Sequence, residues 1–286
     1  MPKGVPAAGF RAPRSGTAAA DRLSAVKVSY APEKRESDDQ IEKRIADRFE
    51  ILDVLTEATT CGNSRALIVS GPAGLGKSFT VEQHLAKWDP NELQHTIVKG
   101  YVRATGLVKL LYQFRHPNNV IVFDDADAIF FDDVSLNLLK AVCDTTERRR
   151  VSWLSEGKLV DDDSAELIPR SFDFEGSIVF ITNYDFDAMI DKGHKLAPHL
   201  QALVSRSHYV DLAMKSRRDY LIRIRQVIRD GLLADLTFEQ RSDVITFIEQ
   251  NHENLRELSL RMAIKLGHLR KQSEDWKRIA RVTCCK

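Results

Sequence analysis

At 286 residues the chain is long enough for one large domain or two smaller ones, and 43% hydrophobic content is ample for a buried core. A formal net charge of +1 supplies no global basic field for holding nucleic acid, and no apolar run approaches the ~20 residues that a membrane span requires. Cys61, Cys143, Cys284 and Cys285 are too scattered for a disulfide framework or a paired Cys-x-x-Cys metal site. Together with an N-terminus that lacks a continuous apolar signal segment, they predict free thiols in a soluble, cytoplasmic protein with no membrane partner.

Residues 1–37 are rich in Ala, Pro, Gly and Ser, and positions 1–30 hold five basic residues against one acidic. Such a segment cannot bury enough apolar surface to fold alone, so a disordered basic arm is expected. It is either a solvated tail or a tether to nucleic acid or a partner protein. From 38 to 60, Ile41, Ile45, Phe49, Ile51, Leu52 and Leu55 recur at three- and four-residue steps, predicting an amphipathic helix that leads into the first strand.

That strand is the compact run Ala66-Leu67-Ile68-Val69, and it opens into Gly71-Pro72-Ala73-Gly74-Leu75-Gly76-Lys77-Ser78. Val81, Leu85 and Trp88 then recur at helical spacing, completing the order strand, glycine loop, helix that a phosphate-binding loop needs. The glycines let the backbone curl until its N–H groups face one point, and the following helix adds the positive end of its dipole. Lys77 is placed to reach the β- and γ-phosphates of ATP, or the β-phosphate of ADP, and the Ser78 hydroxyl to bind the Mg²⁺ that bridges the β- and γ-phosphates. The nucleotide-contacting run extends to Phe79.

A break at Trp88-Asp89-Pro90-Asn91 precedes a short strand, His95-Thr96-Ile97-Val98. Lys99-Gly100-Tyr101-Val102-Arg103-Ala104 follows as a loop displaying an aromatic residue, and Thr105 is expected to cap a helix whose inward face is Leu107, Leu110, Leu111 and Phe114. Val120-Ile121-Val122-Phe123-Asp124-Asp125-Ala126-Asp127 describes a central parallel strand whose carboxyl end lies beside the phosphate loop, where open α/β sheets bind ligands. Asp124 is the candidate Mg²⁺ ligand, directly or through water, and Asp125 the candidate for orienting the water that attacks the γ-phosphate.

Leu136, Leu139, Val142 and Cys143 mark a further helix, expected to end near Arg148-Arg149-Arg150. Those charges either offset the helix dipole or contact phosphates. Residues 151–172, with an acidic run at 161–163, read as a loop or irregular hairpin. Ser177-Ile178-Val179-Phe180-Ile181-Thr182-Asn183 is an apolar strand ending in an amide that either reaches the attacking water or γ-phosphate or caps the strand. A helix at 196–203, with Pro198 in its first turn, leads to Ser205-Arg206-Ser207 and a last strand at 208–212.

Beyond 215 no further strand pattern appears and three or four helices follow, among them 218–229, 237–250 with Thr237 and Gln240 as a capping box, and 255–269. In the third of these Leu255, Leu258, Met262, Leu266 and Leu269 make the core stripe. Arg261 is left on the flank, facing outward or toward the nucleotide. Trp276 sits in a short polar tail as a packing anchor.

The order of these motifs resembles that of an AAA+ ATPase, over about residues 38–271. Gly71–Ser78 resembles the Walker A motif and Val120–Asp125 the Walker B motif. Asn183 stands at the sensor-1 position, Arg206 at the arginine finger and Arg261 at the sensor-2 arginine. Asp124-Asp125-Ala126-Asp127, Leu136-Asn137-Leu138-Leu139-Lys140 and Ile168-Pro169-Arg170-Ser171-Phe172, with Gly176 before the Asn183 strand, are similar to AAA+ proteins encoded by bacteriophages. The resemblance implies an α/β fold with a five-stranded parallel sheet flanked by helices, in a nucleotide-binding domain at 38–214, and a small all-helical lid at 215–286. It also implies a ring homo-oligomer, commonly a hexamer, in which Arg206 acts on the neighbouring subunit's γ-phosphate.

One departure from the family pattern matters. Walker B usually ends Asp-Glu, and here it ends Asp124-Asp125. The shorter acid loses roughly 1.5 Å of reach, so hydrolysis is either slow or restored by a closer backbone or by Asp127. Tyr101 falls where polymer-threading members carry an aromatic pore loop, and its ring either grips a strand or packs under the loop. Two functions follow: a ring ATPase motor acting on a protein or nucleic-acid polymer, or an ATP-controlled assembly switch or loader with slow hydrolysis. A loader acting on DNA is motivated by the basic arm and Arg148–Arg150.

Overall fold

Three strands form the centre of the sheet because their sequences are apolar at every step. In the computed structural model β1 (Ala66–Ser70), β3 (Val120–Asp124) and β6 (Ser177–Thr182) are buried along their whole length. Alternate residues face opposite layers, so burial on both faces demands an unbroken apolar run. The structure describes residues 36–162 and 164–286. The basic arm expected at 1–37 lies outside the described residues except for Glu36 and Ser37.

Element by element, α1 (Asp38–Thr60) precedes β1, and α2 (Lys77–Trp88), β2 (His95–Lys99) and α3 (Ala104–Gln113) follow it. After β3 come a 3₁₀ turn (Asp127–Phe131) and α4 (Asp133–Val142), then β4 (Arg150–Ser152) and β5 (Ser171–Asp173). After β6 the chain forms α5 (Phe186–Asp191), α6 (Ala197–Val204) and β7 (His208–Asp211), and ends in α7 (Arg217–Arg229), α8 (Phe238–Asn251), α9 (Leu260–Gln272) and α10 (Trp276–Cys284). The sheet has five parallel strands in the order β2-β3-β6-β1-β7. This is the expected α/β fold.

Leu67, Val69, Val122, Val179 and Ile181 face one layer with Ile45, Leu52, Val81 and Leu85 of α1 and α2. Ile68, Ile121, Phe123, Ile178 and Phe180 face the other, against α3, α4 and α6. Ile224, Ile228, Phe247, Leu266 and Trp276 belong to a separate core within the C-terminal helices. Among the described residues no helix is long and apolar enough to cross a membrane.

Helix starts follow their caps. Ser37 and Gln40 close a capping box on α1, Thr237 and Gln240 close another on α8, and Ser216 and Ser259 cap α7 and α9.

Several expectations need correction. Helix α3 starts at Ala104 after Arg103 with no side-chain cap, so Thr105 caps nothing. Helix α4 ends at Val142, well before the arginines: Arg148 pairs with Asp173, Arg150 opens β4, and Arg149 folds back to donate to Val142 O at 2.8 Å. Arg149 thus satisfies a helix-end carbonyl from a distance, and Arg148 and Arg149 are engaged within the chain. Of the two readings left open for 151–172 the hairpin holds, with β4 antiparallel to β5 and Val160 bridging Leu167. Helix α9 starts at Leu260, not 255, because Leu255 instead bridges Cys285. The tail after 275 is helix α10, whose Trp276, Ala280 and Cys284 are buried four residues apart.

Candidate nucleotide site

Strand register brings the candidate residues together. Ser70 lies opposite Thr182 and Asp124 opposite Ile181, so the glycine loop, the two aspartates and Asn183 leave the same edge of the sheet side by side. The loop depends on its glycines. Gly74 has φ +75, and a Cβ there would lie 2.7 Å from Ser259 Cβ. Leu260, first residue of α9, donates its N–H to Gly74 O at 2.8 Å. The C-terminal helices therefore rest directly on the loop.

Lys77, at the first position of α2, is buried. Its ammonium donates to Asn183 Oδ1 at 2.9 Å, to Pro72 O at 3.0 Å and to Gly71 O. Burial pulls its pKa down to about 8, opposed by Asp125 and Asp124 and reinforced by Arg261. Asn183 Nδ2 in turn donates to Asp125 Oδ1 at 2.8 Å, making a chain from the lysine to the second acid. Asp125 adopts φ +52 and donates its N–H to Ile181 O at 3.0 Å, which fixes its backbone against β6. Aspartate tolerates this left-handed conformation better than most residues.

Ser78 Oγ donates to Asp124 Oδ1 at 2.8 Å, while Lys99 Nζ approaches Asp124 Oδ2 at 3.3 Å and Glu82 Oε1 at 2.7 Å. A hydroxyl and a carboxylate in contact at the phosphate loop are the hard oxygen donors that Mg²⁺ takes alongside phosphate oxygens. Among the described residues no cluster of three or more His, Cys, Asp or Glu is arranged to hold a metal by itself. The donor set fits a metal that arrives with its nucleotide. Asp127 lies just behind: burial raises its carboxyl pKa, Thr182 bonds it, and its Oδ1 is buried without a hydrogen-bond partner.

The loop forms one wall of a cleft of about 890 Å³. Gly74, Gly76, Lys77, Ser78 and Phe79 line it from below, and Phe49 and Asp53 of α1 from one side. Arg223, Leu233, Arg261 and Ile264 close it from the C-terminal helices. Arg261 is exposed and lines the cleft, with its Cγ 3.8 Å from where a Cβ on Gly74 would lie. Ile41 and Ile45 are core residues of α1, and the cleft begins one turn later at Phe49.

Two candidates lie apart. Arg206 follows α6, donates to Ala202 O at 2.7 Å and sits 3.8 Å from Asp144, outside this cleft. Tyr101 is 73% exposed beyond β2, next to Gly100 at φ +98, so its ring is not packed under the loop.

Sequence reading missed Arg223 and Lys99. Arg223 is only 8% exposed, yet in the sequence it is one of five arginines in α7. The signal for it was its place between Ile222 and Ile224, a cation flanked by core residues. Lys99 ends β2 opposite Asp124, so strand pairing alone explains their contact.

No family model matches the chain. An uncharacterized 36.7 kDa protein from the nrdC-mobD intergenic region of Enterobacteria phage T4 is 36% identical over 253 residues, covering 87% of this chain and 77% of the phage protein. Among solved structures, the Thermotoga maritima RuvB Holliday junction branch migration motor is 14% identical with a TM-score of 0.44, over 86% of this chain and 69% of that one. NtrX from Brucella abortus in complex with ADP is 13% identical with a TM-score of 0.42, over 82% of this chain and 54% of that one. Likenesses that distant leave the chemistry to be argued from the residues of the cleft.

Proposed function

We propose that the chain, which shares a family with an uncharacterized phage T4 protein, is an AAA+ ATPase that binds ATP in the cleft above Gly71–Ser78 and hydrolyses the γ-phosphate bond. The observation that carries this reading is the hydrogen-bonded chain from Lys77 through Asn183 to Asp125. It sets a cation, an amide and a carboxylate in a row at the mouth of a phosphate loop. Backbone N–H groups of the loop and Lys77 hold the phosphates and offset the charge that builds up on transfer. Asp125 and Asn183 orient the attacking water, and Asp125 accepts its proton. The Asp125 backbone conformation and its bond to Ile181 bring the short acid to Asn183, which answers the missing methylene.

Ser78 and Asp124 would hold Mg²⁺, which when bound neutralises charge between the β- and γ-phosphates. Arg261 contacts the nucleotide from the C-terminal helices, which act as a lid at 215–286 on the nucleotide-binding domain at 38–214. Arg206, outside its own cleft, serves the cleft of a neighbouring copy in a ring, commonly a hexamer. Exposed Tyr101 grips a polymer, protein or nucleic acid, and the assembly works as a motor.

A second reading is an ATP-controlled assembly switch or loader with slow turnover. It is favoured by Asp125 standing where the family pattern has the longer glutamate. Turnover measured across a protein concentration series, with and without single-stranded DNA, duplex DNA and an unfolded polypeptide, separates the two. A motor turns over faster as concentration rises and accelerates with one polymer. Tight binding with negligible turnover under every condition selects the switch.

A further inference from the structure

Arg223 of α7 carries a charge that the protein itself leaves unanswered. Its guanidinium carbon lies 3.6 Å from the centroid of the Phe49 ring, and Nη1 donates to the neutral Gln226 Oε1 at 3.0 Å. Nε is buried and has no hydrogen-bond partner. Among the described residues no carboxylate lies within ion-pair distance, and Asp230 acts on it only from farther away. Burial lowers its pKa to about 10, which leaves it protonated at neutral pH. A cation that is 8% exposed and lines a cleft is costly to keep without a counter-charge.

Its position says where that counter-charge belongs. A Cβ on Gly76 would come within 3.8 Å of Arg223 Nη2, so the guanidinium edge borders the last turn of the glycine loop. Lys77 reaches back over that loop from the start of α2 and Arg261 approaches it from α9, and Arg223 completes a third approach from α7. The planar fork suits a phosphate group, whose oxygens accept two parallel N–H bonds. Phe49 holds the fork flat from behind through its ring face.

We propose that Arg223 is a phosphate-binding residue of the cleft, donating to the oxyanion of the nucleotide's phosphate chain and thereby tying α7 and Phe49 of α1 to occupancy of the glycine loop. The assignment rests on the cleft being a nucleotide site. It adds a contact from the first C-terminal helix to those from Lys77 and Arg261. Because α7 also joins the core of the C-terminal helices through Ile224 and Ile228, a phosphate held by Arg223 fixes those helices over the loop.

The test is calorimetric titration of the full chain with ATP, ADP, inorganic tripolyphosphate and adenosine, beside thermal melts with and without ADP, for wild type, Arg223→Met and Arg223→Lys. Met keeps the stem against Phe49 and removes the charge, and Lys keeps the charge and removes the fork. Arg223→Met should weaken ATP, ADP and tripolyphosphate alike by roughly ten- to a hundredfold, the range of a lost charge-assisted hydrogen bond. Arg223→Lys should fall between. The unliganded Tm of Arg223→Met should hold or rise, because an unpaired buried charge has gone, while the rise caused by ADP shrinks.

Wild-type affinity for tripolyphosphate in Arg223→Met overturns the proposal. So does a lower unliganded Tm in both variants with the ADP-induced rise intact, which assigns Arg223 to packing. Weakened adenosine binding with unchanged tripolyphosphate affinity overturns it in favour of base recognition. Should wild type bind neither ATP nor ADP, the nucleotide reading itself falls, an outcome distinct from failure at Arg223 alone.

Discussion

Raising the pH from 7 to 9 should weaken nucleotide binding about tenfold, and Lys77 is the reason. Burial holds its pKa near 8, so the ammonium is mostly protonated at pH 7 and mostly neutral at pH 9. A phosphate chain beside the amine favours the charged form and raises that pKa in the complex. Above pH 8 binding must therefore take up a proton, and affinity falls toward a limiting slope of about tenfold per pH unit. With the free pKa near 8 the loss between pH 7 and 9 comes to about 1.4 kcal/mol.

The phosphates themselves are fully ionised in this range, having a last pKa of about 6, so they contribute no slope. Titration with ADP at pH 7, 8 and 9, in two buffers of different ionisation enthalpy, reads both the affinity and the protons taken up. Arg in place of Lys stays charged, so Lys77→Arg should bind more weakly overall but with a flat profile. A flat profile in wild type, without proton uptake at pH 9, would refute the argument. On folding the sense is opposite: the unfolded lysine near 10.5 binds a proton that the folded one lacks. This group's penalty is full below pH 8 and is relieved as the pH rises toward 10.5.

Other expectations bear on neighbouring parts. Gly74→Ala imposes a side chain at φ +75 and places its Cβ 2.7 Å from Ser259 Cβ. It should cost about 1–2 kcal/mol from the backbone alone and lower ADP affinity; unchanged Tm and affinity would show that the contact is not needed. Arg206→Ala should reduce turnover by about 10³–10⁵. Mixing it with Lys77→Ala subunits should restore part of that activity, and no recovery on mixing would remove the role in trans. Tyr101→Ala, at a 73% exposed position, should leave folding stability within about 0.5 kcal/mol of wild type and abolish polymer stimulation of turnover. Full stimulation in the variant would end the pore-loop reading.

What could be read from the sequence was whatever the local pattern dictates. Ala66–Ser70, Val120–Asp124 and Ser177–Thr182 declared themselves as central strands because burial on both faces leaves no polar step. The glycine loop was visible because its conformation permits few other residues at Gly74. Features set by distant contacts were not visible. Arg223 is buried because the Phe49 ring covers it, and nothing near Arg223 in the chain announces that partner. Arg149 looked like part of a helix end, but reaches Val142 O only because β4 turns back along α4. The helical tail escaped notice because its buried stripe is Trp276, Ala280 and Cys284, three residues among polar neighbours.

The central claim is that the chain from Lys77 to Asp125 makes this cleft hydrolytic. Its most direct test is ATP turnover at saturating nucleotide by Asp125→Asn beside wild type, with ATP affinity measured on the same samples. The account predicts wild-type affinity in the variant and a fall in turnover of at least about a hundredfold, the lower end for loss of a general base. Turnover equal to wild type in Asp125→Asn would contradict it, because hydrolysis would then proceed without the acid that Asn183 holds in place.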